Sequence, residues 1–158
     1  MTIDFQIRAL DERAFAELFT LDPAALAKMG IVRRTVDKKP GFPCRISLED
    51  AEVGEEVLLL PYQYHKTDSP YQASGPIFIR RTARTADLRP NEIPKMLDHR
   101  LLSVRGYDQA GMMLEATVVE GKQLRANILQ LFERPEIAYL HLHNAKPGCY
   151  NCLVERAK

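Results

Sequence analysis

The sequence predicts a single α+β domain, mainly an antiparallel sheet with about three helices. Three observations carry this. Strand-like stretches outnumber helical ones, and most joins between them are too short for parallel crossovers. The 158 residues also show no internal repeat, low-complexity tract or linker.

Ile3, Phe5, Ile7 and Ala9 alternate with Asp4, Gln6 and Arg8, the period of a half-buried strand. Ala14, Phe15, Leu18 and Phe19 then form one stripe, so a short helix is expected from a capping Asp11. A second helix is expected after Asp22, with Pro23 in its first turn and Gly30 past its end. Residues 31–36 read as a strand. Residues 38–43 form a loop, because Pro40, Gly41 and Pro43 oppose regular pairing. Residues 45–47 suggest a short strand, and 47–53 a capped helical turn ended by Gly54. Residues 57–64 are apolar or aromatic at nearly every position, as in a strand buried on both faces at a sheet centre. Residues 66–76 read as a long loop, 77–81 as a strand and 82–94 as a polar excursion. A hairpin is expected from 101–107 and 112–119 around the turn 108–111. The clearest helix spans 122–134: Leu124, Ile128, Leu131 and Phe132 share one face, and Pro135 stops it. Strands 137–143 and 149–154 close the chain around a turn at 144–148.

Hydrophobic residues make up 46% and charged residues 27%, which argues against a disordered chain. Lys plus Arg number 22 and Asp plus Glu 21, a net charge of +1, so no global field draws in nucleic acid or an anionic membrane. Asp4 and Arg8 interrupt the N-terminal apolar residues, so no signal peptide is expected. The longest clean apolar run, 57–60, is far too short to span a bilayer. Three cysteines, an odd number, argue against a disulfide scaffold and for a reducing cytoplasm. No phosphate-cradling glycine loop, zinc-protease helix or serine elbow is present, and no cofactor is expected.

The densest polar grouping lies at 141–152. On a strand, Ala138, Leu140 and Leu142 share the apolar face, while Tyr139, His141 and His143 project from the other. The turn brings Cys149 back beside them. Three readings stand. Metal binding would use His141, His143, Cys149 and Cys152, but strand alternation points the two cysteines to opposite faces. Thiol chemistry would use Cys149, with His141 or His143 favouring its thiolate. The plain alternative is two buried small cysteines and histidines that serve packing.

A second grouping is the middle loop, where Tyr62, Tyr64, His65 and Tyr71 surround Ser69, Pro70, Gly75 and Pro76. Such rings either line a ligand pocket or plug the end of a sheet. Arg33, Arg34, Arg80, Arg81, Arg84 and Arg89 read mostly as solvated charge. Arg45, between two loops, offers a bidentate fork for a carboxylate or phosphate, or an internal ion pair with Glu49, Asp50 or Glu52.

Spaced motifs carry a resemblance: Pro43-Cys44-Arg45, Ser69-Pro70-Tyr71, Gly75-Pro76-Ile77-Phe78, Arg105-Gly106-Tyr107, then His141, Asn144, Gly148-Cys149 and Glu155-Arg156-Ala157. Together they resemble a bacterial domain-of-unknown-function family, numbered 1203, over nearly the whole chain. The resemblance implies no activity. It implies weight on Arg45, Pro70, Gly75, His141, Asn144 and Cys149, and none on a second cysteine at Cys152.

The expected site is one pocket walled by residues 69–76, Arg45 and the 141–149 hairpin. Arg45 would bind a small anionic ligand, Ser69, Tyr71, Gly75 and Asn144 would shape the site, and His141 with Cys149 would be the reactive pair. The competing expectation is a non-enzymatic interaction protein, a homodimer without such a pocket.

Overall fold

The computed structural model describes residues 2–158. The chain is α+β and builds two antiparallel sheets. The first has five strands in the order β1 (Phe5–Arg8), β8 (Tyr150–Arg156), β7 (Tyr139–Asn144), β5 (Leu101–Tyr107), β6 (Met113–Glu120). The second has three, in the order β2 (Val32–Thr35), β3 (Glu56–His65), β4 (Ala73–Arg80). Among the described residues two α-helices, α1 (Pro23–Lys28) and α2 (Leu124–Phe132), and four 3-10 turns complete the regular structure.

The local reasons match the sequence in most places. At α1, the Asp22 side chain accepts the Ala25 amide at 2.8 Å, Pro23 occupies the first turn, and Gly30 takes φ +73° past the end. α2 buries Leu124, Ile128, Leu131 and Phe132. Each such side chain stabilises the fold by about 1.5–3 kcal/mol. Between β5 and β6, the Asp108 carboxylate accepts the amides of Ala110 and Met112, which pins the hairpin turn.

Three stretches differ from expectation. The stripe after Asp11 forms two 3-10 turns, Glu12–Ala14 and Ala16–Thr20, rather than an α-helix. Residues 45–47 turn instead of pairing, and no helical turn forms over 47–53. Leu48 adopts φ +53° there, which sends its side chain into the main core, so tertiary burial overrides the local capping signal. Finally, β4 starts at Ala73, so Gly75 and Pro76 are strand residues facing Tyr62 and Pro61. Both prolines are tolerated for a reason of position. β4 is an edge strand, and Pro61 lies beyond the stretch of β3 that β2 covers.

The five-stranded sheet has two unlike faces. On one, Leu102, Val104, Leu140, Leu142, Cys152 and Val154 join α2 in the main core. The other face looks toward the three-stranded sheet. It carries Ser103, Arg105 and Tyr107 from β5 and Tyr139, His141 and His143 from β7. A smaller core of Leu58, Leu60, Ile77, Ile79 and Tyr150 joins the two sheets. Among the described residues no helix is long and apolar enough to cross a membrane.

Candidate functional site

Arg45 is pinned by its own backbone. Its amide donates to the Phe78 carbonyl on β4 at 3.1 Å, and its carbonyl accepts the Leu10 amide at 3.0 Å. The side chain is only 1% exposed. Nε donates to the Tyr150 carbonyl at 2.8 Å, and Nη1 donates to the Pro43 carbonyl. Among the described residues no carboxylate lies within salt-bridge distance of this guanidinium. The acids expected to pair with it are engaged elsewhere: Glu49 with Arg80, Asp50 with Arg100 and His99, Glu52 with Lys39. Burial lowers the Arg45 pKa, and the neighbouring Cys149 sulfur opposes the fall.

Cys149 sits half-buried at the end of the 144–148 turn. Gly148 takes φ +82°, where a Cβ would be strained, and its amide donates to the Asn144 carbonyl at 2.8 Å. The Asn144 side-chain amide donates to the Cys149 sulfur at 3.4 Å, and Asn144 Oδ1 in turn accepts from Asn151 at 2.9 Å. Arg45, Asn144 and Cys149 thus meet at this turn. Cys152 does not join them. It is buried in the main core, where burial pushes its thiol up to about 12 against the pull of Arg45. Among the described residues no group of three His, Cys, Asp or Glu side chains is placed to hold a metal ion.

His141 stands apart from Cys149. Its ring packs among His65 (centroids 4.8 Å), Tyr107 (5.1 Å), Tyr150 (5.3 Å) and Tyr139 (5.4 Å). Burial, then the neighbouring His65, His143 and Arg105, lower its pKa to about 3. The imidazole that touches the cysteine turn is His143. Its Nδ1 is 2.9 Å from the Gly148 carbonyl, so that nitrogen carries the proton, and Nε2 accepts from Arg105 at 3.5 Å. Burial lowers the His143 pKa to about 4 against the Gly148 bond.

The middle loop belongs to the His141 neighbourhood. The Ser69 hydroxyl donates to the Gly111 carbonyl at 2.7 Å and accepts the Tyr71 amide. The Tyr71 carbonyl accepts His65 Nδ1 at 2.8 Å. A Cβ on Gly75 would sit 3.5 Å from the Tyr64 ring. The expected single pocket is therefore two places. Arg45, Asn144 and Cys149 share one and His141 lines the other, while Ser69, Tyr71 and Gly75, expected in the same pocket, line neither.

The first place is a cavity of about 840 Å³. Pro43, Arg45, Phe78, Arg100, Asn144 and Cys149 form part of its wall, and the exposed Lys122 and Lys146 border it. Four cationic side chains (Arg45, Arg100, Lys122, Lys146) face two acids, Asp98 and Glu120. His99 also lines it, 45% exposed, with Nε2 held by Asp50 at 3.1 Å. Burial would raise the Asp50 carboxyl, but hydrogen bonds and charge from Arg100, then His99, hold it below its ordinary value. His99, Asp50 and Arg100 have no signal in the sequence pattern, since the carboxylate and its partners lie about fifty residues apart.

With this geometry in place, the comparisons add the family. Residues 41–156 match the family described as "Protein of unknown function (DUF1203)", and the chain belongs to it. No curated protein and no solved structure matches.

Proposed function

We propose that this member of the family binds a small anion, a carboxylate or phosphate, in the Arg45 cavity, with Cys149 beside the bound group. One observation carries the reading: a guanidinium 1% exposed with no carboxylate partner among the described residues. Burying a charge costs several kcal/mol unless it is paired. Two backbone carbonyls satisfy part of the hydrogen bonding but supply no negative charge. An anion supplies both, and charge-assisted bonds to Arg are the strong kind. The Asn144 amide and the Cys149 thiol flank it, and Lys122 and Lys146 favour approach of negative charge. Cys149 gives the cavity a soft nucleophile, and three free thiols support a reducing compartment.

The test is alkylation of Cys149 by iodoacetamide, followed by peptide mass spectrometry. Inorganic phosphate or acetate that fills the cavity slows modification of Cys149 in proportion to occupancy. Unchanged alkylation across a panel of small carboxylates, sulfate and phosphate refutes the reading.

A second reading, self-association, rests on the open edge of β6, where Val118 is 62% exposed. Sedimentation velocity on wild type and Val118→Lys tests it: a dimer lost in the variant supports the reading, and a wild-type monomer removes it.

A further inference from the structure

Three histidines meet between the two sheets, His141 and His143 from β7 and His65 from the end of β3, and they are not treated alike. His65 has both ring nitrogens engaged, Nδ1 by the Tyr71 carbonyl and Nε2 by the Tyr139 hydroxyl at 2.6 Å. His143 has both engaged, by Gly148 and Arg105. His141 lies between them, is 3% exposed, and its Nδ1 is sealed with no hydrogen-bond partner among the described residues. The same ring lines a groove of about 670 Å³, separate from the Arg45 cavity, together with Tyr62, Tyr64, His65 and Tyr139.

A sealed nitrogen without a partner is tolerated better as a bare lone pair than as an orphaned N–H. The ring proton therefore sits on Nε2, which leaves Nε2–H as the donor His141 can offer to the groove. The groove's rim carries Arg8, Lys66, Arg156 and Lys158 against one acid, Glu155, and Arg8 already pairs that acid at 3.2 Å. Such a rim repels a cation despite the tyrosine faces. We propose that this groove is a second binding site, for an uncharged flat aromatic molecule bearing a hydrogen-bond acceptor, which the tyrosines hold edge and face and His141 anchors through Nε2–H. Nothing in this site depends on Arg45 or Cys149.

The test uses three probes on the full chain at pH 7.5: acetophenone, ethylbenzene, which has the same shape without the acceptor oxygen, and benzyltrimethylammonium. Long-range proton–nitrogen NMR reads the imidazoles directly. The expected result is a His141 Nδ1 resonance typical of a bare nitrogen, and a His141 shift on titration with acetophenone. Acetophenone should bind about tenfold more tightly than ethylbenzene, as one neutral hydrogen bond allows, and more tightly than the cation. In His141→Phe that preference should disappear while phosphate still protects Cys149. The proposal is overturned by a protonated Nδ1, by His141 signals that do not move, or by ethylbenzene or the cation binding as well as acetophenone. The wild-type spectra decide the matter even where the variant does not fold.

Discussion

The two faces of the five-stranded sheet come from the same strands and do opposite work. Toward α2, Leu102, Val104, Leu140 and Leu142 are fully buried against apolar neighbours. Toward the second sheet, alternate residues of the same strands bury His141, His143 and Tyr107 and half-bury Arg105. The first face is what folding asks for. The second costs stability, because two imidazoles leave water and one ring nitrogen of His141 finds no partner among the described residues. Where a chain keeps polar groups buried at a cost, their use is the natural explanation. The comparison locates the apolar core on one face and the buried polar groups on the other.

Substitutions can break that division. Leu140→Ala or Leu142→Ala should destabilise by about 3 kcal/mol, through lost burial and a residual cavity. Urea denaturation measures this, and at low urea the protection of Cys149 by phosphate should persist. Acid provides an effect of the same order. His141 and His143 titrate near 3 and 4 when folded, against 6.5 unfolded, so the unfolded chain binds more protons between those values. Stability from their neutral burial is complete above pH 6.5 and is lost as pH falls. Between pH 7 and 5 each should contribute a loss of about 2 kcal/mol. His141→Phe should remove about half of that slope, which urea midpoints at several pH values will show.

Arg45→Met should behave in the opposite way to the leucine variants. It leaves the Tyr150 and Pro43 carbonyls without their donor but relieves an unpaired buried charge, so stability should change by under about 2 kcal/mol. Phosphate protection of Cys149 should vanish. The smallest effect belongs to the rim. Lys122→Gln and Lys146→Gln should each weaken anion binding by about threefold or less, and the difference should shrink at high salt. A titration at two ionic strengths checks it.

Much of this was legible in the sequence, and the limits are instructive. Period-two alternation placed Leu140 and Leu142 opposite His141 and His143 correctly, because one strand's geometry is local. It also set Cys152 away from Cys149. The pairing of His141 with Cys149 was not local. The turn at Asn144–Gly148 carries Cys149 past His143 toward Arg45, while His141 stays deeper among tyrosines. The loop setting singled out Arg45, but the fate of Asp50 was invisible. Asp50 lies five residues from Arg45 and pairs instead with Arg100 at 2.5 Å, just as Glu49 and Glu52 pair with Arg80 and Lys39. The early strand boundary of β4 was hidden by Gly75 and Pro76, since edge position, not composition, makes them acceptable there.

Calorimetric titration of inorganic phosphate into the wild-type chain and into Arg45→Met tests the central claim most directly. The account predicts one saturable site in the wild type and at least tenfold weaker binding, or none, in the variant with its fold intact. Equal binding by both proteins, or heat of dilution alone in the wild type, would contradict it.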